Sequence, residues 1–171
     1  MTGTGSSHPA HTHSHGSRPA VGFRVIGRKR PGFDTQWAAE MTGAAWKAAG
    51  EMALDVFRPQ AGVVDDATLR RAIGEIRQAG CDALVVIQPS MGDGRLAPVL
   101  AQLWGDPVVL WATPERPDGG KVSSCSLVGA HAFASILRQF GRPFELAYGH
   151  PDEEATRQQL LEGVYLTSAA A

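Results

Sequence analysis

Short apolar runs alternate with longer amphipathic segments along most of this chain. The runs have the length of strands and are flanked by glycine, proline or polar residues, which break regular structure. They predict strands over residues 23–27, 54–57, 82–88, 108–112 and 144–148. The run Ala-Leu-Val-Val-Ile within residues 82–88 is typical of a strand that is buried on both faces.

The segments that separate these strands repeat their apolar residues every three or four positions, as helices with one buried face do. Such faces comprise Phe33, Trp37, Met41, Ala44 and Ala48, then Leu69, Ile73 and Ile76, then Leu96, Leu100 and Leu103, and finally Phe133, Ile136, Leu137 and Phe140. Asp34 and the pair Asp65–Asp66 suit helix starts, and Gly50 and Gly80 suit helix ends. We expect the fourth helix over residues 125–140, capped by Ser123 and Ser124, and a fifth over residues 152–163.

Five strand–helix units in succession predict a parallel sheet with helices on both faces. The expected fold class is α/β: a five-stranded, flavodoxin-like or Rossmann-like three-layer sandwich with strand order 2-1-3-4-5. One domain should span residues 21–166, followed by a short tail over residues 167–171. Residues 1–20 contain mainly Gly, Ser, Thr and His, and this composition predicts a disordered tail.

The composition and the charge argue against several classes of protein. A formal net charge of −1 argues against a general nucleic-acid surface. No apolar run approaches the roughly 18 residues that span a membrane, and the first 20 residues lack a signal-peptide core. Two cysteines are too few for a disulfide framework, so a cytoplasmic setting is expected. Four of the six histidines lie at positions 8, 11, 13 and 15, where a solvated tail is a simpler interpretation than a weak Zn or Ni site.

Candidate chemistry lies where the strands end, because ligands of parallel sheets gather beyond the carboxyl ends of the strands. Four loops should meet there, over residues 28–34, 88–95, 113–124 and 149–152. The third is longer than the roughly 2–6 residues typical of strand-to-helix loops. Their arginines, amide, hydroxyls and helix N-termini suit a polyhydroxylated or anionic small molecule. Dinucleotide and P-loop fingerprints are absent, since neither Gly27 nor Gly119–Gly120 has the required spacing.

Individual residues of these loops have alternative interpretations. Cys125 could be a nucleophile at a helix N-terminus, but a small buried cysteine after a serine cap is favoured. His131 is either a ligand contact or a packed histidine, and Asp93 is a turn residue or a hydroxyl acceptor. Residues 28–30 form a short basic cluster that is more typical of a solvated turn than of a phosphate clamp. Outside the tail the only histidines are His131 and His150, so a complete metal site is not expected in this chain.

Three of these loops contain longer strings that are distinctive as sequences. They are Val-Ile-Gly-Arg at residues 25–28 with Pro-Gly-Phe-Asp at 31–34, Gln-Pro-Ser-Met-Gly-Asp-Gly at 88–94, and Trp-Ala-Thr-Pro-Glu at 111–115 with Gly-Gly-Lys-Val-Ser-Ser-Cys-Ser-Leu-Val-Gly at 119–129. These strings resemble the amino-terminal domain of the L-fucose/L-arabinose isomerase family, closest to its fucose-isomerase-like branch. The resemblance covers roughly residues 23–152.

This resemblance implies aldose–ketose isomerisation, in which a divalent metal, usually Mn²⁺, assists proton transfer between adjacent sugar carbons. In the family, the metal ligands and the acid–base carboxylates come from later domains, and the amino-terminal domain lends sugar contacts to a neighbouring subunit's site. The resemblance therefore implies no catalytic residue and no metal ligand here. It implies sugar contacts from the following residues: Arg28, Gln88, Lys121, Ser123, Ser124 and His131.

The sequence ends where the family's second domain would begin, so we expect a truncated or split isomerase that is catalytically incomplete by itself. Its expected partners are a sugar substrate and either further copies in a homo-oligomer or a chain with the catalytic domains, with no nucleic acid and no membrane. The alternative hypothesis is a stand-alone binding module for a sugar or an anion, without catalysis.

Overall fold

The strands and helices alternate along the chain as the sequence predicts. The computed structural model describes residues 18–27, 32–60, 62–118 and 122–170. Its strands are β1 (Ala20–Val25), β2 (Asp55–Phe57), β3 (Ala83–Gln88), β4 (Val108–Ala112) and β5 (Phe144–Tyr148). Its helices are α1 (Thr35–Glu51), α2 (Asp66–Gln78), α3 (Leu96–Leu103), α4 (Ser126–Gln139) and α5 (Glu154–Ala169).

All the strand pairs in this sheet are parallel, and the strand order is β2-β1-β3-β4-β5. This confirms the predicted order. From β1 the chain moves outward to β2 and then returns to the other side of β1 to form β3. The direction of winding therefore reverses between β1 and β3, and the loops that follow these two strands diverge there to leave a crevice.

The helices form two layers, one on each side of the sheet. One apolar core joins the sheet to α2, α3 and α4 through residues such as Ile76, Leu100 and Phe133. The other joins it to α1 and α5 through residues such as Ala48 and Leu160. The predicted three-layer α/β sandwich is thereby confirmed.

Two helix starts follow directly from short-range hydrogen bonds. The Asp34 side chain accepts a hydrogen bond from the Trp37 amide at 2.9 Å, which caps α1. Asp65 and Thr68 form a reciprocal capping box at the start of α2. Both starts agree with the prediction, because the capping acids are visible in the sequence.

Two predicted boundaries differ from the structure by three residues or more. β1 begins at Ala20, three residues before the predicted start, because its first residues pair with β2 and β3 and Gly22 leaves room for the side chain of Ile76. Helix α5 continues to Ala169 instead of ending at residue 163, so residues 167–169 belong to the helix and not to a tail. Gly163 does not end this helix; it lets α5 approach Val109, whose methyl carbons lie 3.3 Å from where a Cβ would stand.

Residues 1–17, which carry most of the predicted disordered tail and its four histidines, lie outside the described residues. Within the part of the chain that the structure describes, no helix has both the length and the apolar character to cross a membrane.

Candidate functional site

Four of the predicted site residues are described: Gln88 at the end of β3, Ser123 and Ser124 in the segment before α4, and His131 on α4. Arg28 and Lys121 lie outside the described residues. The segment between β4 and α4 spans residues 113–125, and its described parts fold back on themselves and on α1.

A carboxylate that the sequence interpretation missed organises this segment. Glu115 accepts five hydrogen bonds: from the amide and hydroxyl of Ser123 at 2.6 and 2.7 Å, from the amide and hydroxyl of Ser124 at 2.7 and 2.8 Å, and from the Cys125 amide at 2.7 Å. Three successive backbone N–H groups that converge in this way form an arrangement that binds anions in many proteins. Here the anion is supplied by the protein itself.

The charge of Glu115 is strongly favoured by these donors. Partial burial alone would raise the pKa of the Glu115 carboxyl, but the hydrogen bonds from Ser123 and Ser124 outweigh that effect and lower it from 4.5 to about 2. Glu115 is therefore ionised at neutral pH. The amide hydrogens just before α4 are consequently already paired with a negative charge.

The serine cap predicted for α4 is wrong in its details. The N-cap is Cys125, in the left-handed region at φ 51° and ψ 31°, and its side chain makes no capping hydrogen bond. Ser124 Oγ accepts a hydrogen bond from the Ser126 amide at 3.3 Å while it donates to Glu115. The hydroxyls of Ser123 and Ser124 are committed to the Glu115 carboxylate because it presents a full charge at shorter distances.

The same loop is fastened to the first turns of α1. The Trp37 indole donates to the Pro114 carbonyl at 2.9 Å, and the Asp34 amide donates to the Ser123 carbonyl at 2.8 Å. The guanidinium of Arg116 lies 2.9 Å from the Asp34 carboxylate and stacks over the Trp37 ring at 5.1 Å. These contacts fix the loop against α1 as well as against α4.

Gln88 ends β3 and is fully buried. Its backbone carbonyl accepts a hydrogen bond from the Ser126 hydroxyl, which in turn accepts one from the Thr113 amide at 2.7 Å. Its side-chain oxygen lies next to α4 at Gly129, where a Cβ would come within 2.4 Å, while its side-chain nitrogen is buried without a hydrogen-bond partner. Gln88 thus joins β3 to α4, and its predicted contact with a sugar stays a prediction.

The remaining candidates are more scattered. His131 is exposed on α4, and none of the hydrogen bonds that Gln88, Ser123 and Ser124 make among the described residues involves it. Asp93 accepts hydrogen bonds from the amide and guanidinium of Arg95, which agrees with its interpretation as a turn residue. Ser123 and Ser124 are buried. Their predicted contacts with a sugar also stay predictions.

An open groove of about 920 Å³ lies at the crevice between β1 and β3. One wall is a side of α1, the opposite wall is the segment after β2, and the floor carries residues that follow β1 and β3. The residues that line it are Val25, Gly27, Phe33, Asp34, Thr35, Ala38, Ala39, Thr42, Gly43, Trp46, Arg58, Gly62, Val63, Val64, Pro89 and Ser90. Its volume falls within the range typical of small-molecule sites, which is roughly 300–1,000 Å³.

A manganese site does not fit the described side chains. Within residues 18–27, 32–60, 62–118 and 122–170, no three His, Cys, Asp or Glu side chains are grouped so that they could hold a metal ion. The carboxylate nearest the loop donors, Glu115, is already saturated with hydrogen bonds. No chemical step through a metal can therefore be assigned to these residues.

The strand order defines an α/β domain of the flavodoxin-like class, and the groove lies at the crevice of its sheet. Residues 24–163 match the family described as "Fucose/sulfoquinovose isomerase, N-terminal domain". The chain belongs to this family, and the resemblance to its fucose-isomerase-like branch is confirmed.

Several relatives of this chain are sulfoquinovose isomerases. The enzymes of Priestia aryabhattai and Priestia megaterium are 26% identical to it over 109 residues, which is 64% of this chain and 24% of theirs. That of Alkalicoccus urumqiensis is 29% identical over 79 residues, 46% of this chain and 18% of its own length. The chain thus spans about a quarter of the length of the curated relatives that it matches.

Among solved structures, a flavodoxin from Streptococcus pneumonia TIGR4 superposes with a TM-score of 0.49 at 14% identity. The alignment covers 88% of this chain and 99% of the flavodoxin.

Proposed function

We propose that this domain serves substrate recognition in an aldose–ketose isomerase. The observation that carries the proposal is the family match over residues 24–163, which includes every strand end that borders the candidate site. The groove at the crevice supports it, because that edge of a parallel sheet is where ligands bind.

In this proposal the domain binds and orients the sugar, and the groups that move a proton between adjacent carbons come from another part of the assembled enzyme. The family implies a divalent metal, whose chemistry would be to polarise the sugar oxygens next to the migrating proton. The loop over residues 113–118 and 122–125 is suited to present a fixed surface, since Glu115 and Arg116 hold it on two helices. We propose further that the assembled enzyme is a homo-oligomer or includes a second chain, and that it works in the cytoplasm.

Isomerisation can be followed by ¹H NMR in D₂O, with L-fucose, L-arabinose and sulfoquinovose as probes and Mn²⁺ added. The chain should be assayed alone, mixed with the protein encoded by any adjacent reading frame, and mixed with an unrelated α/β protein as a control. Turnover that needs both the chain and its neighbour supports the proposal. Turnover by the chain alone would contradict the division of labour, because recognition and proton transfer would then lie in one domain.

Binding should be measured separately by ¹H–¹⁵N correlation spectra of the chain titrated with the same sugars. Shifts that concentrate at the carboxyl ends of β1, β3 and β4 support a recognition surface. Saturable binding without turnover in any mixture would favour the alternative hypothesis of a binding module, and the lack of binding to any of these sugars would refute both.

A further inference from the structure

The sheet has two edge strands, and they differ in how well they are protected. At one edge, β2 has only three residues, whereas β5 at the other edge has five, with the sequence Phe-Glu-Leu-Ala-Tyr. Natural proteins protect edge strands by keeping them short or by placing lysine or proline in them. β2 is short, but β5 is longer and contains neither lysine nor proline. It therefore offers an edge to which another strand can pair.

The hydrogen bonds at the two ends of β5 show which of its backbone groups face outward. Before the strand, the Pro143 carbonyl accepts a hydrogen bond from the Val108 amide at 3.3 Å, and after it the Gly149 amide donates to the Ala112 carbonyl at 3.2 Å. In a parallel ladder the N–H and C=O of one residue point to the same side, and the side alternates along the strand. The backbone groups of residues 145 and 147 thus face β4, and those of residues 144, 146 and 148 face away from the sheet.

Most of these outward groups have no hydrogen-bond partner. The side-chain oxygen of Gln159 on α5 accepts a hydrogen bond from the Tyr148 amide at 3.3 Å, which covers one end of the edge. Among the described residues, no hydrogen bond reaches the amides and carbonyls of Phe144 and Leu146 or the carbonyl of Tyr148. The middle of β5 is therefore an open pairing site for a second strand.

Exposed apolar side chains accompany these backbone groups. Leu146 and Tyr148 share one face of the sheet with Phe144, which packs against the core beneath α4, yet they keep 38% and 47% of their surface exposed. On the other face, Leu166 is 61% exposed and follows Gln159 by two helical turns, so it lies on the side of α5 that borders this edge. Apolar side chains that flank an unpaired strand are typical of an interaction surface.

The sequence of β5 is complementary to itself. In antiparallel pairing about a two-fold axis at Leu146, this residue lies opposite its own copy, Phe144 lies opposite Tyr148, and Glu145 lies opposite Ala147. The outward groups of residues 144, 146 and 148 then meet as hydrogen-bonded pairs. Most of these bonds use groups that are free, and only those from the Tyr148 amide require Gln159 to release it. An aromatic pair such as Phe144–Tyr148 stabilises antiparallel strands.

The charge on β5 favours this register over its neighbour. An axis at Glu145 would place two carboxylates directly opposite each other, which is destabilising. With the axis at Leu146, the residue opposite Glu145 is Ala147, which is buried and uncharged. Glu145 is the one charged residue of this strand, so pairing about Leu146 places no like charges directly opposite each other.

We propose that two copies of this chain associate through β5, in antiparallel pairing about Leu146, and thereby join their two sheets into one continuous sheet. The inference rests on the edge strand and not on the isomerase activity, and it names the surface of the homo-oligomer that the proposed function includes. Because both copies use the same surface, association through this edge closes at two copies.

The test is sedimentation velocity of the full chain from roughly 5 to 500 µM, with hydrogen exchange followed by ¹H–¹⁵N spectra at both ends of that range. We expect the mass to rise from one copy to two while the amides of Phe144 and Leu146 gain protection. A mixture of ¹³C-labelled and unlabelled chains should show NOEs between the Phe144 and Tyr148 rings of different copies. A single copy at every concentration, or a dimer without protection of these amides, would overturn the proposal.

Two variants and a matched control make the test specific. Leu146→Lys sets two like charges opposite each other at the axis and should weaken association about tenfold or more. Leu146→Pro should weaken it as well, since it removes an outward amide that the pairing with β4 does not use. The control is Val64→Lys, because Val64 is also an exposed apolar residue, at 70%, but follows β2 at the opposite edge.

Circular dichroism shows whether each variant keeps the fold. Association that is unchanged in a folded Leu146→Lys chain, or that is weakened equally in Val64→Lys, would overturn the proposal. A dimer through β5 without turnover in any mixture would refute the proposed function alone, whereas turnover by a complex in which β5 stays unpaired would refute this inference alone.

Discussion

The substitution Glu115→Gln tests the carboxylate that organises the loop before α4. It keeps the size of the side chain but removes the charge that accepts five hydrogen bonds from residues 123–125. The fall in pKa from 4.5 to about 2 corresponds to ~3 kcal/mol at 1.36 kcal/mol for each pKa unit. Because Glu115 is exposed, solvent screening reduces this, and we expect a loss of about 1–2 kcal/mol in the free energy of unfolding at pH 7.

The pH dependence of that loss has a defined sign. The pKa of Glu115 is lower in the folded chain than in the unfolded one, so its ionised form stabilises the fold above pH 4.5 and this stabilisation disappears as the pH falls towards 2. The difference between wild type and Glu115→Gln should therefore be constant from pH 6 to pH 8 and shrink between pH 4.5 and pH 2. Urea unfolding at fixed pH values, followed by circular dichroism, measures it directly.

A matched control is Glu162→Gln, because Glu162 is an exposed carboxylate with one exposed hydrogen bond, from Gln158. It should change the free energy of unfolding by less than about 0.5 kcal/mol. Adding Ser124→Ala to both backgrounds gives a double-mutant cycle for Glu115 and Ser124, in which the coupling should be favourable. An unfolding midpoint of Glu115→Gln equal to that of wild type at pH 7, or a difference that persists unchanged at pH 2, would refute this account of the loop.

Two further substitutions and one labelling experiment test other parts of the chain. Gly149→Ala should lower the stability by about 2–3 kcal/mol, because φ is +154° there and the new Cβ would lie 1.9 Å from Thr156 Oγ1; a thermal melt that matches wild type would contradict this. Gly74→Ala, inside α2 with no atom within 4 Å of the new Cβ, should instead raise it by about 0.5–1 kcal/mol in the same melts. Burial, with Asp82 and Asp55, raises the pKa of Cys81 to about 11, so iodoacetamide should alkylate it slowly at pH 8 and faster towards pH 11, as mass spectrometry would show.

The fold was predictable because its signals are short-range and repeated. Each buried strand, such as β3 with six consecutive buried residues, is visible as an apolar run, and α1 and α2 start at aspartates that cap them locally. The errors occur where a glycine serves packing. Gly163 looks like a helix end in the sequence, but it is a point of close contact between α5 and Val109.

The site was less predictable because its contacts join residues with no periodic relation. Glu115 and the amides that it binds are eight to ten positions apart within one irregular loop, and Trp37 reaches Pro114 across 77 positions. The sequence does show a serine pair before a helix, and it shows a carboxylate earlier in the same loop. Only the path of the backbone, including the left-handed conformation of Cys125, turns the amides towards that carboxylate.

The internal pairing of Glu115 has a consequence for ligand binding at this edge of the sheet. A ligand anion could reach the amides before α4 only by displacing Glu115, which would leave that carboxylate without five donors at a cost comparable to the stabilisation that they provide. The three amides are therefore occupied by the chain's own carboxylate, and an anionic ligand would have to compete with Glu115 for every one of their hydrogen bonds.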